Sequence, residues 1–245
     1  MLQSNFTVLS NTALTDSVFK MVLRGDTSAI TAPGQFVNIK LEGMFLRRPI
    51  SVCDYDESTL TLIYKAVGKG TEAMSKMAEG TVLDLLTGLG NGYDLSLSGD
   101  HPVLIGGGVG VPPMYNLAKK LIAQGKTVSV ILGFNTQPEI FYEEEFKKLG
   151  CEVFVTTVDG SYGIKGFVTN ALENIPYTYF YTCGPEPMLK AVYRFSTTSG
   201  QMSFEKRMGC GFGACMGCSC KTITGYKRIC KEGPVMKKEE ILWEN

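Results

Sequence analysis

Five of the chain's eight cysteines lie in one stretch, Cys210-Gly-Phe-Gly-Ala-Cys215-Met-Gly-Cys218-Ser-Cys220, completed by Cys230. Cys210, Cys215 and Cys218 follow the spacing C-x4-C-x2-C, with a further thiol downstream. This is the plant-type spacing for a [2Fe–2S] cluster, which four thiolates hold. One-electron transfer is therefore the first chemistry to expect. Cys210, Cys215, Cys218 and Cys230 are the candidate ligands. Cys220 competes for the last place, but two residues after Cys218 it reaches the far side of a cluster less easily. Cys230 returns after a turn region at Thr222–Tyr226. Glycines at 209, 211, 213 and 217 let such a loop turn its N–H groups onto sulfur.

Two other uses of clustered cysteines fit less well. Structural zinc takes four-cysteine sites as two separated C-x2-C pairs, and only one such pair is present. Disulfides belong to oxidising compartments. Residues 1–10 lack the basic start and apolar run of a secretory leader, so a cytoplasmic protein is expected.

Two glycine-rich turns carry the next chemistry. Ile105-Gly-Gly-Gly-Val-Gly-Val-Pro-Pro-Met114 lies between a strand-like and a helix-like run. Gly106, Gly107, Gly108 and Gly110 would let a phosphate approach N–H groups at a helix start. The proline pair suits that start, where a missing N–H costs nothing. The loop does not match G-x-G-x-x-G. A second turn, Cys183-Gly184-Pro185-Glu-Pro-Met188, also ends a strand before a helix. Ligands of open α/β sheets bind beyond the carboxyl ends of strands, so two such turns define a cleft for an extended nucleotide. Earlier in the chain, Arg48-Pro49-Ile50-Ser51 offers a bidentate phosphate donor beside a hydroxyl.

The elements that must position these residues fall into three parts. Residues 1–98 contain six short strand-like runs: Phe6–Leu9, Val18–Leu23, Gln35–Leu41, Pro49–Cys53, Leu60–Lys65 and Val82–Leu86. Gly25, Pro33-Gly34, Gly43 and Gly68 punctuate them, which predicts a small antiparallel β-barrel with one short helix at Thr71–Ala78. Residues 99–200 alternate strands and helices. Met114, Leu117, Ala118, Leu121 and Ile122 recur at helical spacing, and the alternation predicts an α/β domain with a parallel sheet. Residues 201–245 carry the cysteines. Some forty residues rarely bury a core unaided, so metal is expected to help fold this small C-terminal iron–sulfur domain.

Composition narrows the partners. Lys+Arg and Asp+Glu balance at 24 each, which leaves no net field to attract nucleic acid or an anionic membrane. No apolar run reaches the roughly 20 residues of a spanning helix. The single histidine, His101, has no visible catalytic partner.

The three motifs in this order resemble the ferredoxin-reductase superfamily. The resemblance implies a FAD-binding barrel, residues 1–98, followed by a nicotinamide-nucleotide domain, residues 99–200. Arg48-Pro49-Ile50-Ser51 looks like the flavin motif, with Arg48 on the pyrophosphate and Ser51 near the reactive edge of the ring. Ile50 stands where that motif usually has an aromatic. Gly70-Thr71 resembles the loop opening the helix under the FAD phosphates. Ile63-Tyr64-Lys65 resembles the strand that lines the flavin, and Gly88–Tyr93 the turn that closes the barrel. Gly106–Pro113 and Cys183–Met188 look like the NAD loops. The chain finishes Trp243-Glu-Asn245, not on the aromatic that caps flavin in plant-type reductases.

More closely, the runs Arg207–Cys220 and Arg228–Val235 resemble the electron-transfer subunits of NAD-linked dihydroorotate dehydrogenases. That family implies a partner catalytic subunit that oxidises dihydroorotate on its own FMN, in a heterotetramer of two of each chain. Electrons would pass through [2Fe–2S] and FAD to NAD⁺. This serves pyrimidine biosynthesis. Flavin subunits of NADH-dependent ferredoxin:NADP⁺ oxidoreductases and of anaerobic sulfite reductases share the same parts and are the alternative. NAD is expected over NADP, because Asn135-Thr136-Gln137 and Glu143-Glu144-Glu145 supply no cation for a 2′-phosphate. Nothing in the sequence is placed to oxidise dihydroorotate in this chain alone.

Overall fold

The structure is a computed structural model and describes residues 1–243; Glu244 and Asn245, part of the ending noted above, lie outside them. Six antiparallel strands close a barrel: β1 (Leu2–Ala13), β2 (Val18–Arg24), β3 (Phe36–Ile39), β4 (Arg48–Tyr55), β5 (Thr59–Lys65) and β6 (Val82–Leu89). Their order round the barrel is β1-β2-β5-β4-β3-β6. Alternate side chains point inward. Leu60, Leu62 and Tyr64 of β5 fill the interior with Phe6, Met21 and Leu85, while Ile63 faces the following domain. Helix α1 (Lys69–Ser75) covers one end, with Met74 in the barrel core. Asn11 Nδ2 donates to the carbonyls of Met74 and Met77 at 2.9 and 3.2 Å, which satisfies the end of that helix.

The second domain holds β7 (Pro102–Gly107), α2 (Pro112–Ala123), β8 (Ser129–Phe134), α3 (Glu143–Lys148), β9 (Glu152–Thr157), β10 (Ile164–Lys165), α4 (Val168–Leu172), β11 (Tyr179–Cys183), α5 (Glu186–Phe195) and β12 (Gly200–Ser203). These strands are parallel, and the near-continuous burial of β7, β8, β11 and β12 is what helices on both faces require, while β10 is an exposed edge. Barrel and sheet meet along α2. Asp54 accepts from Asn116 Nδ2 at 2.7 Å and from Lys119 Nζ at 2.6 Å.

The cysteine segment is a long excursion from this sheet. A hairpin of β13 (Ser219–Thr222) and β14 (Gly225–Arg228) interrupts it, and β15 (Val235–Lys237) returns to pair antiparallel with β12. The seven-stranded order is β10-β9-β8-β7-β11-β12-β15. Strand β12 thus begins at residue 200, where the sequence divides the second and third parts, and β15 is a sheet strand that sequence reading did not find. Ile229, Cys218 and Cys230 are buried in one cluster with Phe36 and Leu89 of the barrel and Met202 of β12. Burying a side chain such as Ile229 stabilises by about 1.5–3 kcal/mol. Among the described residues, no helix is long and apolar enough to cross a membrane.

Candidate electron-transfer site

Four thiols of the C-terminal segment meet in two pairs. Cys210 Sγ accepts the N–H groups of Ala214 at 3.3 Å and Cys215 at 3.4 Å. Burial pushes the Cys210 thiol up, but the N–H groups of Phe212, Cys215 and Ala214, with the Cys215 side chain, outweigh it and bring it down to about 6. Cys210 therefore carries a thiolate at neutral pH, the form that binds metal. The second pair is Cys218 and Cys230. The Cys230 N–H donates to Cys218 Sγ at 3.4 Å, and both residues are buried. Burial raises the Cys230 thiol to about 12, helped by the neighbouring Cys218 and Cys210 sulfurs. A cation among these sulfurs would relieve that repulsion. Cys220 faces elsewhere: its Sγ lies 3.9 Å from Met236 Sδ.

The loop is built to wrap. Gly211 and Gly213 have φ of +76° and +94°, and Met216 of +59°, so successive N–H groups curl inward. A Cβ on Gly209 would stand 3.2 Å from Cys215 Sγ. The four-cysteine donor set, two of its thiols buried at Cys218 and Cys230, suits a [2Fe–2S] cluster held by Cys210, Cys215, Cys218 and Cys230, as do the curled N–H groups and the close glycines. Arg228 fastens the loop from outside. It bonds the Gly213 carbonyl and pairs with Glu232, whose Oε2 also accepts from Arg228 N and Nε at 2.8 and 3.0 Å. Asn91 fastens the far end, donating to the carbonyls of Glu232 and Val235 at 3.1 and 2.7 Å and accepting from Val235 N at 3.0 Å. The Gly88–Tyr93 turn thus docks the C-terminal segment as well as closing the barrel.

The nucleotide cleft, of about 650 Å³, opens at the carboxyl ends of the parallel strands. Gly107, Gly108 and Gly110 line it, with Gly184 and Pro185 opposite. The two loops touch: a Cβ on Gly110 would stand 2.1 Å from the Cys183 carbonyl oxygen, and one on Gly184 would stand 3.2 Å from Gly107 N. Gly106 packs on Val111 and does not line the cleft. Cys183 is buried behind its turn, and burial pushes its thiol up to about 12, so it is a packed side chain, not a nucleophile. At the other end, Asn135 N and Nδ2 donate to Glu139 Oε2 at 3.2 and 2.9 Å. That carboxylate would repel a 2′-phosphate and accept from a 2′-hydroxyl.

On the barrel, Arg48 and Gly70 come together. A Cβ on Gly70 would lie 2.2 Å from Arg48 Nε, so only glycine lets the guanidinium cross the start of α1. Arg48 donates to the Leu46 carbonyl at 2.5 Å and to Met44 Sδ at 3.1 Å. Thr71 Oγ1 accepts from Val67 N and Gly68 N at 3.0 and 3.3 Å and so shapes the same turn. Pro49, Ile50 and Ser51 remain partly open on β4. Ile63 and Tyr64 are buried, the Tyr64 hydroxyl on Asn11 at 3.0 Å, while Lys65 reaches the nucleotide cleft. This glycine-cradled arginine beside an open strand fits a dinucleotide such as FAD.

Comparison with known proteins now bears on this geometry. Residues 205–242 match the iron–sulfur cluster binding domain of dihydroorotate dehydrogenase B, and residues 104–194 match an oxidoreductase NAD-binding domain. The electron transfer subunit of dihydroorotate dehydrogenase B (NAD(+)) from Bacillus pumilus is 43% identical over 98% of both chains. That from Fusobacterium nucleatum is 43% identical over 96% of both. The chain belongs to this family of electron transfer subunits. As such it is an oxidoreductase subunit with iron–sulfur and NAD-binding domains and a flavin-reductase fold. Among solved structures, the NADH-dependent reduced ferredoxin-NADP oxidoreductase gives a TM-score of 0.87 at 29% identity, covering 97% of this chain and 90% of that one. A ferredoxin NADP+ reductase from Neisseria gonorrhoeae, with bound FAD and NADP, shares the fold at 18% identity and a TM-score of 0.70, over 79% of this chain and 89% of that one.

Three residues of this electron transfer subunit escape sequence reading. Glu205 lines the cleft beside Pro185 and Met188, and desolvation by the surrounding protein raises its carboxyl from its ordinary value, although the side chain keeps an exposed face. Its signal was a carboxylate just beyond the strand Gly200–Ser203, at the end where ligands bind. Asn38 and Asn91 carry no local signal, since each acts on backbone far away in sequence.

Proposed function

We propose that this subunit takes electrons from an FMN-containing catalytic partner that oxidises dihydroorotate and delivers them to NAD⁺. The observation that carries the reading is the pairing of four thiols on the same side of the barrel as the flavin strand. When bound, the cluster moves single electrons, nicotinamide takes a hydride, and flavin converts between the two. The chain's own residues bind and orient. Cys210, Cys215, Cys218 and Cys230 supply four thiolates. Arg48, with Gly70 and Thr71 beside it, holds the FAD pyrophosphate, and Pro49, Ile50 and Ser51 flank the ring. Ile63, Tyr64 and Lys65 form the strand that backs it. Gly107, Gly108 and Gly110, with Gly184 and Pro185 opposite, line the cleft where NAD lies, and Gly106 and Cys183 pack behind them. Glu139 favours the nucleotide that lacks a 2′-phosphate. The parts correspond to residues 1–98, 99–200 and 201–245, and the assembly is a heterotetramer of two of each chain. We place it in the cytoplasm, where cysteines stay reduced and available to bind metal.

Coexpression with an FMN-binding dihydroorotate dehydrogenase chain tests this. The copurified complex should reduce NAD⁺ when given dihydroorotate, and this chain alone should not. Copurification with a larger iron–sulfur partner, and no dihydroorotate-driven NADH, would overturn it in favour of a ferredoxin:NADP⁺ or sulfite reductase role. Arg48→Ala should weaken FAD retention about tenfold or more. A charge-assisted hydrogen bond is worth about 1.5–3 kcal/mol, and about 1.4 kcal/mol is tenfold. FAD per subunit after gel filtration reads this.

A further inference from the structure

Asn38 is where the barrel grips the first cysteine of the loop. Its Nδ2 donates to the Cys210 carbonyl at 3.3 Å, across 172 residues of chain. The side chain is 1% exposed. Register puts it beside the flavin strand: on β3 and β4, Asn38 pairs with Pro49 and Phe36 with Ser51. Residues paired across an antiparallel ladder share a face, so Asn38 stands on the same outward face as Pro49 and Ser51. The fit is tight. Gly211 follows Cys210 at φ +76°, and a Cβ there would lie 2.2 Å from Asn38 Nδ2. The Asn38 backbone is held as well, its carbonyl accepting from Arg47 Nη1 at 3.2 Å while that arginine pairs with Asp84 at 2.9 Å.

Asn38 Oδ1 is buried without a hydrogen-bond partner among the described residues. Such a group costs about 1–3 kcal/mol. A leucine would fill the same space without that cost, and buried unpaired groups in native proteins call for an explanation. What leucine would not supply is the N–H directed at Cys210.

We propose that Asn38 is the positioning residue that couples the flavin strand to the cluster loop. It holds Cys210 against the outward face of β3 and β4 and turns a donor dipole toward the loop of the first ligand. This rests on the function proposed above, in which the thiols hold [2Fe–2S] and β4 holds FAD. Hydrogen bonds to a cluster's sulfurs set its potential; the Asn38 bond ends on the Cys210 carbonyl and acts on the sulfur by holding the loop whose N–H groups, from Ala214 and Cys215, reach Cys210 Sγ. Those N–H donors favour the reduced, more negative state, so a loop released from Asn38 presents them less well and reduction becomes harder.

Asn38→Leu in the full subunit, coexpressed with its partner, tests the proposal. Iron and FAD content, and the rate at which NADH bleaches FAD, should match the unmodified protein. The cluster's midpoint potential, read by paramagnetic resonance in a redox titration, should move negative. Cluster reduction after rapid mixing with NADH should slow at least tenfold. Unaltered potential and rate would overturn the proposal. If Asn38→Leu loses iron, Asn38→Ser, which shortens the reach without adding bulk, is judged by the same two readings. The underlying function fails separately: the unmodified protein would then show no signal from a reduced cluster at all.

Discussion

Cys230→Ser is expected to leave the purified subunit without its cluster, whereas Cys220→Ser keeps it. The two thiols sit on opposite sides of the same hairpin. Cys230 donates its N–H to Cys218 Sγ at 3.4 Å and feels the sulfurs of both Cys218 and Cys210. Cys220 turns to Met236, and burial raises its thiol, only partly offset by the charges of Lys206 and Lys227. Serine in place of Cys230 removes one of four thiolate ligands. Iron should fall to background, and the signal of the dithionite-reduced protein should vanish. Metal binding is coupled to folding in small metal-stapled segments, so the same variant should melt earlier. Cys220→Ser should match the unmodified protein in iron, spectrum and melting. Equal iron in both variants would remove Cys230 from the ligand set.

Gly110→Val should abolish tight nicotinamide-nucleotide binding while leaving FAD and iron in place. Its Cβ would fall 2.1 Å from the Cys183 carbonyl oxygen and 2.7 Å from Gly184 Cα. Both are backbone atoms on the opposing loop, so neither can swing aside. The two turns that frame the cleft must part. Overpacking of this kind costs about 1–3 kcal/mol, and the nucleotide loses its fitted floor as well. NADH titration by fluorescence should give affinity at least tenfold weaker. Flavin and cluster absorption should persist, because Arg48 and the cysteines lie on other elements. Unchanged NADH affinity would take the Gly106–Gly110 loop out of the nucleotide site.

Much of this arrangement is legible in the sequence, for reasons that differ by region. The barrel strands show because alternation such as Leu60-Thr-Leu-Ile-Tyr-Lys65 and the glycines between them are local signals. The four candidate ligands show because cluster chemistry dictates their spacing. Strands β10, β12 and β15 do not show. They hold two, four and three residues, too few for periodicity to register. The helix Val168–Leu172 is missed for the same reason. Burial of Tyr64 in the barrel, with Lys65 at the cleft, follows from strand phase, which a motif resemblance does not carry. The contacts of Asn38 with Cys210 and of Asn91 with Val235 depend on chain closure over more than a hundred residues. No window of sequence holds both partners.

The return of β15 to the edge beside β12 separates this molecule from carriers that hang on a linker. A tethered ferredoxin can swing between donor and acceptor, collecting at one station and unloading at another. Here both ends of the excursion are sewn into the same sheet, and two asparagines from the barrel pin it near its start and at its end. The metal site is stationary. Whatever supplies its electrons must come to it, so the rhythm of turnover is set by distances built in at folding and not by the travel of a shuttle.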